Sequence, residues 1–171
     1  MAIVKATYTR KSGAAKASIR YIENRPGKDG AKAQRTLFSA EGKIERAEAY
    51  TMIDQTAQGS YFFRLVISPD PKIEDNDKQL SLRELAEQAM QSLEDRLQHP
   101  VPWVATIHAD HTENRHIHAI AIVPKRLQVP DFQRIRNTAT QEALAQRQQL
   151  DVARQVQEQS QEQNEGLGLS W

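Results

Sequence analysis

The sequence contains no cysteine, which excludes thiolate-ligated zinc, iron–sulfur clusters and thiol catalysis. It also lacks any apolar run near the ~20 residues that a membrane-spanning helix requires. At the amino end, Met1-Ala2-Ile3-Val4 leads straight into Lys5 with no secretory apolar core, so the expected compartment is the cytoplasm. Net charge is nearly absent too: 23 Lys and Arg stand against 22 Asp and Glu. The 171 residues suffice for one globular domain, or one domain with a tail, that builds its own core without disulfide or metal staples.

That near-neutral total hides an asymmetry. Residues 1–36 carry nine basic groups (Lys5, Arg10, Lys11, Lys16, Arg20, Arg25, Lys28, Lys32 and Arg35) against Glu23 and Asp29, a local +7 offset by −6 elsewhere. Charge concentrated on one segment of a neutral protein points to local contact with a polyanion, because phosphates need neutralising only where their backbone runs.

Alternation and turn signals give strands and helices in mixed order. Residues 3–8 read as a short strand and 14–23 as a helix, which ends at the breaker run Asn24-Arg25-Pro26-Gly27-Lys28-Asp29-Gly30. Residues 35–39 form a weak strand signal and 44–53 a helix. The run 61–67 is β-branched and aromatic and stops at Ser68-Pro69, as a central strand does. Residues 81–97 are the clearest helix: Ser81 and Glu84 make a capping box, and Leu82, Leu85, Ala86, Ala89, Met90, Leu93 and Leu97 repeat at three- and four-residue steps.

Two further strands, 103–108 and 116–123, flank a polar stretch and pair most simply as a hairpin. From 132 to about 163 the sequence is helix-compatible but holds nine Gln between Gln141 and Gln163 and few apolar positions, as a long exposed helix or a frayed tail would. No internal repeat is visible. The expected fold is α+β, with a central, mostly antiparallel sheet flanked by helices over residues 1–130 and a helical, Gln-rich extension over 131–171.

Four of the five histidines fall within eleven residues, His108-Ala-Asp110-His111-Thr-Glu113-Asn114-Arg115-His116-Ile-His118. Side chains alternate along a strand, so His116 and His118 point to the same side of the sheet, and a hairpin places His108 across from them. Three neutral nitrogens on a rigid sheet with open positions suit a divalent cation that still accepts a substrate oxygen. Nitrogen ligands favour Mn, Zn, Ni or Co over Mg, while cellular supply favours Mn or Mg. Asp110 or Glu113 could orient a ligand by accepting its second ring N–H. His111, inside the turn, and His99, before Pro100, are read as non-ligands.

With its inner Glu113-Asn114 and terminal His116-Ile117-His118, this motif resembles the metal-binding motif of relaxases, the DNA-nicking enzymes of mobilisable plasmids, and the MobA branch above all. The amino-terminal Met1-Ala2-Ile3, a Gly/Ala/Lys-rich stretch and Tyr21-Ile22-Glu23-Asn24-Arg25 are similar to that family's first motif, whose tyrosine is the nucleophile. The resemblance covers residues 1 to about 125. It implies that Tyr21 is the nucleophile and that His108, His116 and His118 hold the metal. It further implies site-specific nicking and rejoining of single-stranded DNA at an origin of transfer, with relaxosome accessory proteins and a type IV coupling protein as partners.

The residues carry part of this on their own. A tyrosine at a helix end beside a basic loop suits attack on a phosphodiester. Its phenol, with an ordinary pKa of about 10, is ionised to only about one part in a thousand at neutral pH, a deficit of roughly 4 kcal/mol that surrounding charge must offset. A bound cation with Arg20 and Arg25 would supply such a field. Tyr8, on the first strand, is the competing nucleophile, while Tyr50 and Tyr61 read as core or surface. The general base stays open between Asp110 and Glu113. Lys11, Lys16, Arg20, Arg25, Arg115, Lys125, Arg126, Arg134 and Arg136 are candidate phosphate contacts, and Trp103, Phe132 and Trp171 candidate stacking surfaces, with Trp103 nearer to a core residue.

Two other functions fit the same residues. One is a rolling-circle replication initiator or single-strand transposase with the same chemistry. The other is a non-catalytic DNA-binding accessory module whose histidines hold a structural metal, which would call for a fourth protein ligand.

Overall fold

A computed structural model of the protein describes residues 1–27, 30, 34–109 and 113–168. The elements in chain order are β1 (Ile3–Thr9), α1 (Ser12–Asn24), β2 (Leu37–Ser39), β3 (Gly42–Ile44), α2 (Arg46–Asp54), β4 (Tyr61–Ser68), α3 (Leu82–Leu97), β5 (Trp103–His108), β6 (His116–Val123) and α4 (Val129–Gly168). Among the described residues, the strands form one six-stranded antiparallel sheet in the order β1-β4-β6-β5-β2-β3. The fold is α+β, as the alternation of strand and helix signals led us to expect.

The apolar strand β4 is paired on both sides, by β1 and β6, and its alternate residues feed two separate cores. Phe63, Leu65 and Ile67 join Ile117, Ala119 and Ala121 under α3 and α4, where Leu85, Met90, Leu93 and Ile135 are fully buried. Phe62 lies on the other face with Val104, Ile120 and Ile122, covered by Ile19 and Ile22 of α1 and Ile53 of α2. Period-2 alternation thus decides which strand side chains meet which pair of helices.

Helix α1 packs through Ala15, Ile19, Ile22 and Glu23, a spacing that puts them on one stripe. It stops at Arg25, whose φ of −54° and ψ of 125° are extended, because Pro26 disfavours helical geometry in the residue before it. Helix α3 starts at its expected cap, with the Glu84 amide donating to the Ser81 hydroxyl at 3.3 Å.

Two boundaries differ from the sequence reading. The expected helix over 44–53 begins later, at Arg46, because Gly42–Ile44 folds back on Leu37–Ser39 as a three-residue hairpin strand. Gly42 makes that turn possible at φ +112°, which residues with a Cβ rarely adopt. The last helix begins at Val129, so it crosses the expected division at residue 130, and Ile135, Ala139 and Ala143 are part of the α3-side core. From residue 151 to 168 its side chains are exposed. No helix among the described residues is long and apolar enough to cross a membrane.

Candidate metal centre and nucleophile

Register determines the site. β5 and β6 pair so that His108 stands opposite His116 and Thr106 opposite His118. All four side chains share the sheet face of Val104, Ile120 and Ile122, the face covered by α1. Ring centroids are 5.1 Å apart for His108 and His116, 4.1 Å for His108 and His118, and 4.9 Å for His116 and His118. One nitrogen from each ring lies within 4.8 Å of the others, close enough to ligate a single ion. No fourth His, Asp or Glu joins this group among the described residues.

Main-chain carbonyls fix two of the rings. The Ile22 carbonyl is 3.1 Å from Nε2 of His108, and the Asn114 carbonyl is 2.9 Å from Nδ1 of His116. A carbonyl only accepts, so each of these ring nitrogens carries a proton, and the other nitrogen of each ring is the one left to ligate. His118 is different: it is 4% exposed, and neither of its nitrogens has a hydrogen-bond partner among the described residues. The buried Thr106 hydroxyl beside it is equally unpartnered. A buried polar atom left unpaired costs about 1–3 kcal/mol, so this corner of the sheet is built to receive a polar or cationic group. The donor set of three nitrogens on a rigid ladder therefore fits a divalent cation.

Burial and nearby charge disfavour protonation of His108 and His118. Burial, reinforced by the nearby Arg35 charge, pushes His108 down to about 4. Burial, followed by the neighbouring His108 and His116 and then Arg64 and Arg25, pushes His118 down to about 3. Imidazoles that resist protonation at neutral pH are available as ligands.

Tyr21 sits in the last turn of α1, one residue before the Ile22 that holds His108. It is 44% exposed. The Arg64 guanidinium lies 4.8 Å from its ring centroid and that of Arg25 5.8 Å. Tyr8, the competing nucleophile, belongs to the opposite face: it stands across from Phe63, with its ring 5.2 Å from Phe63, 5.5 Å from Tyr61 and 5.2 Å from the Arg126 guanidinium. The sheet itself separates Tyr8 from the histidines.

The expected phosphate contacts divide. Lys11, Arg20 and Arg25 are exposed on or beside α1, and Lys16 pairs with Asp54 at 2.6 Å. Arg115 does not face outward: it makes two hydrogen bonds to buried Asp75, at 2.7 and 2.8 Å, and a third to the Leu80 carbonyl. These bonds tie it to the loop before α3. Arg126 is exposed and covers Tyr8 beyond the end of β6 remote from His116; Lys125 adjoins it, and Arg134 and Arg136 lie on α4.

Trp103 is core, edge-on to Phe38 at 5.7 Å, and Phe132 packs on Phe63 at 5.9 Å, so neither ring is a free stacking platform. Glu113 is exposed, and its carbonyl accepts from Lys78 Nζ. The ring-orienting bonds expected of a carboxylate are made instead by the Ile22 and Asn114 carbonyls. His99 is exposed and bonds the adjacent Pro100 carbonyl. Asp110, His111 and Trp171 lie outside the described residues.

Arg64 was missed from sequence, where it reads as one polar residue interrupting an apolar strand. Its position on the face of Phe62 was legible from alternation, but its approach to Tyr21 depends on where α1 lies. Comparison of the chain with protein-family models and with curated proteins found no match.

Proposed function

We propose that the chain is a metal-dependent, MobA-type relaxase that nicks and rejoins single-stranded DNA in the cytoplasm, initiating plasmid mobilisation. The observation that carries this reading is a trio of imidazoles on one sheet face, beside an exposed tyrosine that two arginines flank. A divalent cation held by His108, His116 and His118 would supply positive charge for a phosphate oxygen as charge develops on it.

The chain's own residues do the rest. Tyr21 Oη attacks the scissile phosphorus; the bond from phosphorus to the 3′ oxygen breaks, and the phenol proton ends on that 3′-hydroxyl. The 5′ phosphate is left on Tyr21 as a phosphodiester, which retains the bond energy for reversal and resealing. Exposed Lys11, Arg20 and Arg25 give the strand a basic approach to the tyrosine.

The test is to incubate the protein and Mn2+ with a randomised pool of single-stranded oligonucleotides labelled at the 3′ end. A denaturation-resistant labelled protein band supports the reading, and sequencing of the captured strands gives the recognised site. Label released as free fragments, or none captured, counts against it.

A further inference from the structure

We infer that Arg64 is a catalytic residue of the proposed reaction: its guanidinium holds the scissile phosphate between Tyr21 and the histidine centre. This rests on the strand-transfer reading above and adds to it the group that grips the reacting phosphate.

Arg64 lies on the sheet face of the histidines. It stands opposite Ile120 on β6, two residues along from the pairing of Val66 with His118, so its side chain and that of His118 rise from adjacent strands on the same side. Its guanidinium reaches the Tyr21 ring at 4.8 Å, closer than that of Arg25. His118 also feels its charge.

Arg64 is only half-buried at this position, yet among the described residues it has neither a carboxylate partner nor a hydrogen bond. Four other arginines of the protein are matched to a carboxylate. Arg46 is paired with Glu23, Arg96 with Asp131, Arg115 with Asp75 and Arg147 with Asp77. A guanidinium without an anion that touches the Tyr21 ring and rises from the same sheet face as His118 is placed to receive one from outside. Its planar fork of donors matches two oxygens of a phosphate.

In the transfer step Tyr21 Oη bonds to phosphorus, the 3′ oxygen departs with the phenol proton, and negative charge shifts among the non-bridging oxygens. Donors already aimed at those oxygens stabilise that state without reorganising. Arg64 touches the reacting phosphate in this scheme, whereas Arg25, exposed at the helix end, serves the flanking strand.

The test compares Arg64→Met and Arg64→Lys with the wild type in three measurements. The first is the rate of covalent capture of single-stranded DNA. The second is Mn2+ affinity by calorimetry. The third is the salt dependence of binding to fluorescein-labelled oligothymidylate, measured by anisotropy in a Tyr21→Phe background so that no adduct forms.

The expected result for Arg64→Met is a capture rate about 100-fold lower, a salt slope about 0.7 shallower, as for one lost phosphate contact on a single strand, and unchanged Mn2+ affinity. Arg64→Lys is expected to restore the slope and only part of the rate. Wild-type capture speed or an unaltered slope in Arg64→Met would overturn the inference, as would a loss of Mn2+ binding, which would make Arg64 a support for the histidines. If the wild type itself captures no DNA, the Tyr21 reading fails, and the salt slopes still decide whether Arg64 grips phosphate.

Discussion

The carbonyl of Ile22 lies 3.1 Å from Nε2 of His108, tying the end of α1 to the end of β5. Through this contact the helix that carries Tyr21 and the strand pair that carries the imidazoles are held as one unit. Tyr21 and the three imidazoles are thereby positioned relative to one another by a main-chain contact.

Removal of one imidazole tests the centre itself. His118→Ala is expected to lower Mn2+ affinity by more than the 10–100-fold typical of losing an outer-shell partner, because a direct ligand is gone. Calorimetry checks this, with His99→Ala as the control, since His99 is exposed and engaged with Pro100. Equal affinities in the two variants would contradict the ligand assignment.

The two tyrosines separate cleanly. Tyr21→Phe is expected to abolish covalent attachment while single-strand binding persists, because only the phenolic oxygen is lost. Tyr8→Phe is expected to leave attachment intact, since Tyr8 lies across the sheet among Phe63, Tyr61 and Arg126. Gel analysis of adducts measures both.

Stability of the metal-free protein is expected to depend on pH in one direction. Histidine in the unfolded chain protonates near its ordinary pKa of about 6.5, whereas folded His108 and His118 resist down to about 4 and about 3. Between those limits the unfolded state binds more protons, so stability is full above about 6.5, falls as pH drops toward 4, and stops falling on this account below about 3. Urea unfolding across that range measures it, and a His108→Gln, His118→Gln double variant is expected to show a shallower decline.

Arg115 supplies a stability prediction. Arg115→Ala leaves Asp75, 1% exposed, without its two-pronged partner and is expected to cost about 3 kcal/mol in urea unfolding, in the range for breaking a buried ion pair. Lys11→Ala, at an exposed position, is expected to change stability little and to weaken DNA binding in a salt-dependent way.

Arg115 and Arg64 also mark how far the sequence could be read. The histidine trio was legible because alternation puts His116 and His118 on one face and a short polar connection brings His108 across from them. The central strand 61–68 and the Ser81-capped helix were legible from composition and spacing. Partnerships between distant segments were not. Arg115 meets an aspartate 40 positions earlier, which its charge alone does not disclose. Arg64 reaches Tyr21 only after α1 docks on the sheet through Ile19 and Ile22. The hairpin of Leu37–Ser39 and Gly42–Ile44 escaped notice because three residues per strand are too few for alternation to register.

The central claim is that Tyr21 forms the covalent link and that the imidazole centre enables it. The most direct measurement is mass spectrometry of trypsin-digested protein after capture of a single-stranded oligonucleotide in Mn2+. Trypsin releases residues 21–28 as one peptide, since Arg25 precedes Pro26, and that peptide contains one tyrosine. The account predicts a nucleotide remnant on that tyrosine, absent after chelation of the metal and absent in His118→Ala. A remnant on any other residue, or one formed equally without metal, would contradict it.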